Sequence, residues 1–210
     1  MPTLRERIVE IAREEASPPP FGKVSDLVLD SEGNRAGWQR LKQYFDEAVD
    51  GWSLDPNKWS GKGQIKLITE PNLTMISFLD GVKKPMYRVP QGESKLSGVS
   101  WCGIFATWVL RQAGVNNARW IADRGIRGDG VSMVNDTKGF QIGDVIVIRS
   151  GEIHHAIVAE MPGIYDQDSA GNLDTTIVTV NGNSTNQSIR IHSEYKLSDV
   201  AYYYRVPDSV

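Results

Sequence analysis

Two hydrophobic rhythms divide the chain. Apolar side chains recur every three to four positions in stretches up to about residue 115, and every second position after residue 139. Leu4, Ile8, Ile11 and Ala12 form one helical stripe, opened by a Thr3/Glu6 capping-box spacing and closed by Pro18-Pro19-Pro20. Trp38, Leu41, Tyr44, Phe45, Ala48 and Val49 form a second stripe before Gly51. From Leu54 to Ser97 the rhythm fades among scattered tryptophans, glycines and prolines. One short helix over "PNLTMISFLDG" is expected there, among loops that flank a site. The segment "SGVSWCGIFATWVLRQAGV" predicts a third helix, with Ser100 as N-cap and Gly114 at its end. Trp101, Ile104, Phe105, Trp108, Val109 and Leu110 leave it almost no wet face, so it belongs at the centre of the fold.

Beyond residue 139, "DVIVI" (144–148), "IHHAIVAE" (153–160), "TTIVTVNGN" (175–183), "SIRIHSEY" (188–195) and "VAYYYRV" (200–206) read as strands. Polar turn segments separate them: Ser150-Gly151, then "DQDSAGNLD", then Ser184 to Gln187. Short consecutive strands with such links predict an antiparallel meander, partly rolled. The fold class is α+β: a helical N-terminal half packed on an antiparallel sheet. Residues 1–96 are expected to be a helical region packed on a catalytic core of residues 97–210, the two forming one unit.

Composition narrows the function classes. With 210 residues, 40% of them hydrophobic, the chain can build a sizeable core. Its charges are dispersed and sum to −3, so it carries no electrostatic footprint for nucleic acid. Arginines and glutamates interrupt the opening "MPTLRERIVEIAREEA", which does not read as a secretory signal. No apolar run approaches the roughly 20 residues of a membrane span. The chain is expected to be made in the cytosol, where a thiol stays reduced.

That thiol is the candidate chemistry. Cys102 is the only cysteine, and it lies in the first turn of the predicted helix. Free N–H groups and the positive end of the helix dipole favour a thiolate there. A thiolate nucleophile needs a base and a group that orients the base. The three histidines are His154, His155 and His192. The first two are adjacent on a strand and face opposite ways, so at most one is expected to meet the helix. Asn181 and Asn183, two apart on the next strand, are expected to share a face, and either amide can fix the tautomer of an imidazole. One thiol with scattered imidazoles shows no metal-ligand spacing, and no cofactor is expected.

The order of these residues resembles that of the papain-like cysteine hydrolases, and within them the CHAP amidase/peptidase domains, relatives of the NlpC/P60 domains. "WCGIFATWVLRQAG" is similar to their WC-small-x-F-x-x-W/F-x-L segment, and "QIGDVIVI" to their P-G-D-hydrophobic strand, with isoleucine in place of proline. "HHAIV" is similar to their H-V-A/G-I-V strand, and "NGN" to E-G-N or E-x-N, with Asn181 in place of glutamate. The matches run in family order over about residues 97 to 190; the first hundred residues resemble the family far less.

The resemblance implies a papain-like NlpC/P60-type fold. It makes Cys102 the nucleophile, His154 the base, Asn181 the orienting group and Asn183 a second support or its alternate. His154 would share its face with Ala156 and Val158, small enough to admit the cysteine helix. His155 is then a rim or packing residue and His192 a surface one. The implied substrate is an amide bond of bacterial peptidoglycan. The implied settings are a phage-type lysis enzyme or an injected antibacterial effector with an immunity protein, acting in the periplasm or cell wall. A non-catalytic binding module of the same fold and a hydrolase acting on a protein are the alternatives.

Overall fold

The computed structural model describes residues 2–29, 31, 35–49, 101–121, 124–137, 139–150, 152–161 and 176–209, and the backbone of residues 64–65, 76–79, 82–88 and 96–98. The elements run α1 (Leu4–Glu15), β1 (Ser25–Leu29), β2 (Arg35–Ala36), α2 (Trp38–Ala48), β3 (Gln64–Ile65), β4 (Ile76–Leu79), β5 (Val82–Arg88) and β6 (Leu96–Gly98). Then follow α3 (Cys102–Gln112), β7 (Arg119–Ile121), β8 (Gly125–Arg127), β9 (Ser132–Val134), β10 (Val145–Ser150), β11 (Glu152–Glu160), β12 (Thr176–Ser184), β13 (Ser188–Lys196) and β14 (Val200–Arg205). The class is α+β, with three α-helices and an antiparallel six-stranded sheet among the described residues.

The helices form where the apolar spacing places them. Thr3 and Glu6 make the reciprocal capping box of α1, which buries Leu4, Ile8 and Ala12. In α2, Leu41, Tyr44, Phe45 and Ala48 are buried. The first nine residues of α3 are all buried, as a central helix requires. Its last turn ends at Ala113, and Gly114 follows with φ 106°, the left-handed position that glycine takes without strain. Ser100 lies outside the described residues, and Trp101 stands at the N-cap position.

Of the expected helix over 71–81, the described residues 76–79 are not helical. Ile76–Leu79 is instead β4, paired antiparallel with β5 through Leu79–Val82 and Ile76–Tyr87. A helix of that length does not hold itself together, and Asp80-Gly81 carries the sequence signature of a two-residue hairpin. The turn segment "DQDSAGNLD" and most of the loop stretch from 54 to 97 lie outside the described residues.

The order of the six-stranded sheet is β13-β12-β11-β10-β14-β9. β10 to β13 follow one another as the meander predicted, but β14 does not continue past β13. It returns to pair with β10 on one side and β9 on the other. The reason is visible in β10, whose Val145, Ile146, Val147 and Ile148 are all wholly buried. A strand apolar on both faces needs a neighbour on each edge and a layer on each side. The row of strands is open rather than rolled shut. α1, α2 and α3 share one core with Val145, Val147, Ile157, Ala159, Val180 and Tyr204. On the opposite face Ile146, Ile148, Ala156, Val158, Ile177 and Tyr203 form a second, smaller core.

Two buried carboxylates brace the N-terminal region, Asp144 tying α1 to this frame and Glu15 tying α1 to α2. Asp144 accepts from Arg5 Nη1 (2.7 Å) and the backbone N–H groups of Val206 (2.9 Å) and Gln141 (2.8 Å). Glu15 accepts from Arg40 Nε (3.0 Å) and Nη2 (2.6 Å), from Lys23 (2.9 Å) and from the Tyr44 hydroxyl. Buried charge is tolerable only when its lone pairs are so occupied.

Candidate active site

Cys102 is the first residue of α3 and is 2% exposed. The helix starts with no side-chain cap, so its first-turn N–H groups present their positive end to the sulfur. Two glycines bring the surrounding layers close. A Cβ on Gly103 would lie 2.2 Å from the Trp120 ring, and one on Gly182 would lie 2.6 Å from Phe105. The glycine after the cysteine therefore admits Trp120, and the glycine of "NGN" lets β12 approach α3.

The face expected to meet the helix is not the one that does. Ile157 and Ala159 pack with α3, whereas Ala156 and Val158 belong to the far core. His155, not His154, is thus on the helix face of β11. It is buried, 6% exposed, rather than on the rim, and its Nδ1 lies 3.6 Å from Cys102 Sγ. Its backbone N–H also donates to that sulfur at 3.4 Å.

Strict alternation does not exclude His154, because the sulfur lies beside the strand rather than over one face. The β11–β12 ladder runs from Glu160–Val178 to Ile157–Val180. Beyond it the His155 N–H is given to Cys102, and both imidazoles act to lower the pKa of the thiol.

His154 is linked outward as well as inward. Its Nε2 lies 3.0 Å from Asn181 Oδ1. Asn181 is wholly buried, and its Nδ2 donates to Thr179 Oγ1 at 2.9 Å. The Thr179 hydroxyl in turn donates to the His192 carbonyl at 3.4 Å, so it must accept from the amide. That chain fixes the amide orientation: Oδ1 faces the imidazole, Nε2 carries the proton, and Nδ1 is left as the basic nitrogen. Asn183 does not make this contact. It has φ 55°, in the stretch where the β12–β13 register shifts between Asn181 and Ser184. The alternation that would align both amides is broken there. His192 is half-buried, its ring stacked on Tyr195 at 4.5 Å.

The electrostatics match this geometry. Burial opposes ionisation of Cys102, but hydrogen bonding to His154 and His155 outweighs it and holds the thiol well below its ordinary value. Burial also pushes the His154 imidazole down. The hydrogen bond to Cys102, the charge of Cys102 and the bond to Asn181 outweigh it and raise the imidazole. Opposite shifts in touching groups favour a thiolate–imidazolium pair.

Sequence reasoning named Cys102, His154 and Asn181, which the structure brings together. It missed His155 as a neighbour of the thiol, Trp120 packed edge-on against His155, and Thr179 behind Asn181. Only Thr179 had a readable signal, standing two residues before Asn181 on the same strand face. Among the described residues no group of three or more His, Cys, Asp or Glu side chains is placed to hold a metal, and no helix is long and apolar enough to cross a membrane. Comparison with protein-family models, with characterised proteins and with solved structures finds no match to this chain.

Proposed function

We propose that the protein is a cysteine hydrolase of papain-like, NlpC/P60-type fold, similar to the CHAP domains, that cleaves an amide bond of bacterial peptidoglycan. One observation carries the catalytic part: a helix-start thiol with the His155 imidazole 3.6 Å from its sulfur and, on the adjacent residue, the His154 imidazole held at Nε2 by an amide oxygen 3.0 Å away. In this reading Cys102 Sγ attacks the amide carbonyl while His154 holds the thiol proton at Nδ1. The backbone N–H of Cys102 meets the oxyanion. His154 then protonates the leaving amine as the C–N bond breaks and a thioester remains. Water, deprotonated by His154, attacks the thioester, releasing the acid and restoring the thiol. Asn181 keeps the ring in the tautomer that can do this.

Peptidoglycan as substrate rests on the motif order in residues 97–190, and it fits either a lysis enzyme or an injected effector neutralised by an immunity protein. The test is mass spectrometry of purified sacculi incubated with wild type and with Cys102→Ala. New termini are expected with the wild type alone, and they name the bond. A Cys102→Ala protein that releases the same termini ends the cysteine mechanism. Intact sacculi with the wild type end the peptidoglycan assignment.

A further inference from the structure

We infer that His155 is a neutral thiolate-holding residue, donating to the Cys102 sulfur from its backbone N–H and from its Nδ1–H, while His154 alone carries the moving proton. The inference rests on the hydrolase reading only for its consequence in turnover; the geometry concerns the thiol itself.

Nδ1 is 3.6 Å from the sulfur and the backbone nitrogen is 3.4 Å from it, so one residue supplies two donors to one acceptor. The decisive feature is the other ring nitrogen. Nε2 of His155 is buried and has no hydrogen-bond partner among the described residues. The ring is wedged edge-on to Trp120 (5.1 Å, 87°) and stacked with Tyr204 (6.1 Å, 22°).

Among the described residues the groups packed on the ring, Trp120, Tyr204 and Cys102, offer no carboxylate that would keep an imidazolium charged. Tyr204 lies in turn against Tyr202 and near Arg127, and burial, then Tyr202, hold its hydroxyl up to about 12, so it stays neutral. A charged His155 would strand an N–H and a charge in this apolar slot, at large cost. A neutral ring with its proton on Nε2 would strand that N–H and turn a lone pair toward the thiolate. The Nδ1–H tautomer strands only a lone pair and directs its proton at sulfur. His154 differs in kind, because Asn181 satisfies its outer nitrogen and lets the ring accept a second proton. The two adjacent histidines thus divide the work, one holding the anion and the other exchanging the proton.

Two measurements test this. Nitrogen-15 NMR of wild-type protein labelled at histidine should show, at neutral pH, one ring that is neutral and protonated at Nδ1. Assignment follows from His155→Asn, which should remove that ring. Ultraviolet titration of the Cys102 thiolate should then show its pKa rising by about one to two pH units in His155→Ala. His155→Asn keeps an N–H near the Nδ1 position, so its rise should be smaller. A His155 found as imidazolium or as the Nε2–H tautomer, or a His155→Ala thiol that titrates like wild type, overturns the inference. None of these results depends on sacculus digestion, so the hydrolase reading and this one fail separately.

Discussion

Gly182 sits between the two asparagines of "NGN", and replacing it by alanine tests whether the approach of β12 to α3 builds the site. The added Cβ would lie 2.6 Å from both Cβ and Cγ of Phe105 and 2.8 Å from Cδ1. Carbon pairs rest at about 3.5 Å or more, so strand or helix must yield by about 0.9 Å. Both elements are buried, and overpacking of this kind costs about 1–3 kcal/mol. Gly182 has no positive φ, so alanine recovers about 0.4–1 kcal/mol by narrowing the unfolded ensemble. The net expectation for Gly182→Ala is a loss of about 1–2 kcal/mol, or about 2–8 °C in Tm for a chain of this size. Urea unfolding followed by tryptophan fluorescence measures it.

The cycle with Phe105→Ala localises the cause. Removing the ring eliminates two of the three contacts, so the pair should couple by about 1 kcal/mol in the relieving direction. The same 0.9 Å, if taken up by β12, carries Asn181 out of reach of His154, now 3.0 Å away. Alkylation of Cys102 should slow in parallel. Stability within 0.5 kcal/mol of wild type, or strict additivity in the cycle, would refute the reasoning.

Two further predictions rest on charge. Asp144→Ala leaves the Val206 and Gln141 N–H groups without their acceptor, while Arg5 keeps Asp208 and the Ile142 and Val206 carbonyls, and should cost about 2–4 kcal/mol in urea unfolding. Asp144→Asn keeps an acceptor oxygen and should cost less. For Cys102, a lowered thiol pKa means that the thiolate survives at neutral pH and is lost only as pH falls through that lowered value. The raised His154 pKa means that the imidazolium is lost only as pH rises through it. Alkylation by iodoacetamide should therefore be flat across neutral pH and fall on the acid side. Asn181→Asp should extend the imidazolium to higher pH, and Asn181→Ala should shorten its range. A rate that instead climbs through the ordinary thiol range would deny the pair.

What was legible in the sequence follows the reach of local patterns. The capping box at Thr3 and Glu6, the stripe of α2 and the five alternating strands were read directly, since each is set by neighbours along the chain. The place of β14 was not, although the unbroken "VIVI" of β10 carried the hint that this strand has neighbours on both edges. Cys102, His154 and Asn181 were named from spacing and resemblance. The face of β11 was misjudged because period two says that His154 and His155 part, not where the helix end falls along the strand. Trp120 was out of reach because its contact with His155 crosses from one sheet to another. The miss at β4 was of another kind: a helix was expected across Asp80-Gly81, a pair whose turn chemistry argues for a hairpin.

The position of β14 bears on the order in which the molecule is made. It lies between β9 and β10, both synthesised before it, and it carries Tyr204, which stacks on His155. During translation the slot between those two strands stays empty until residues 200–205 emerge, and Asp144 lacks the Val206 N–H it binds. The surroundings of the thiol are completed by a strand made after β9 to β13. A nascent chain therefore carries Cys102, His154 and Asn181 without the wall that holds His155 in place. A chain stalled before residue 200 should expose a thiol of ordinary reactivity.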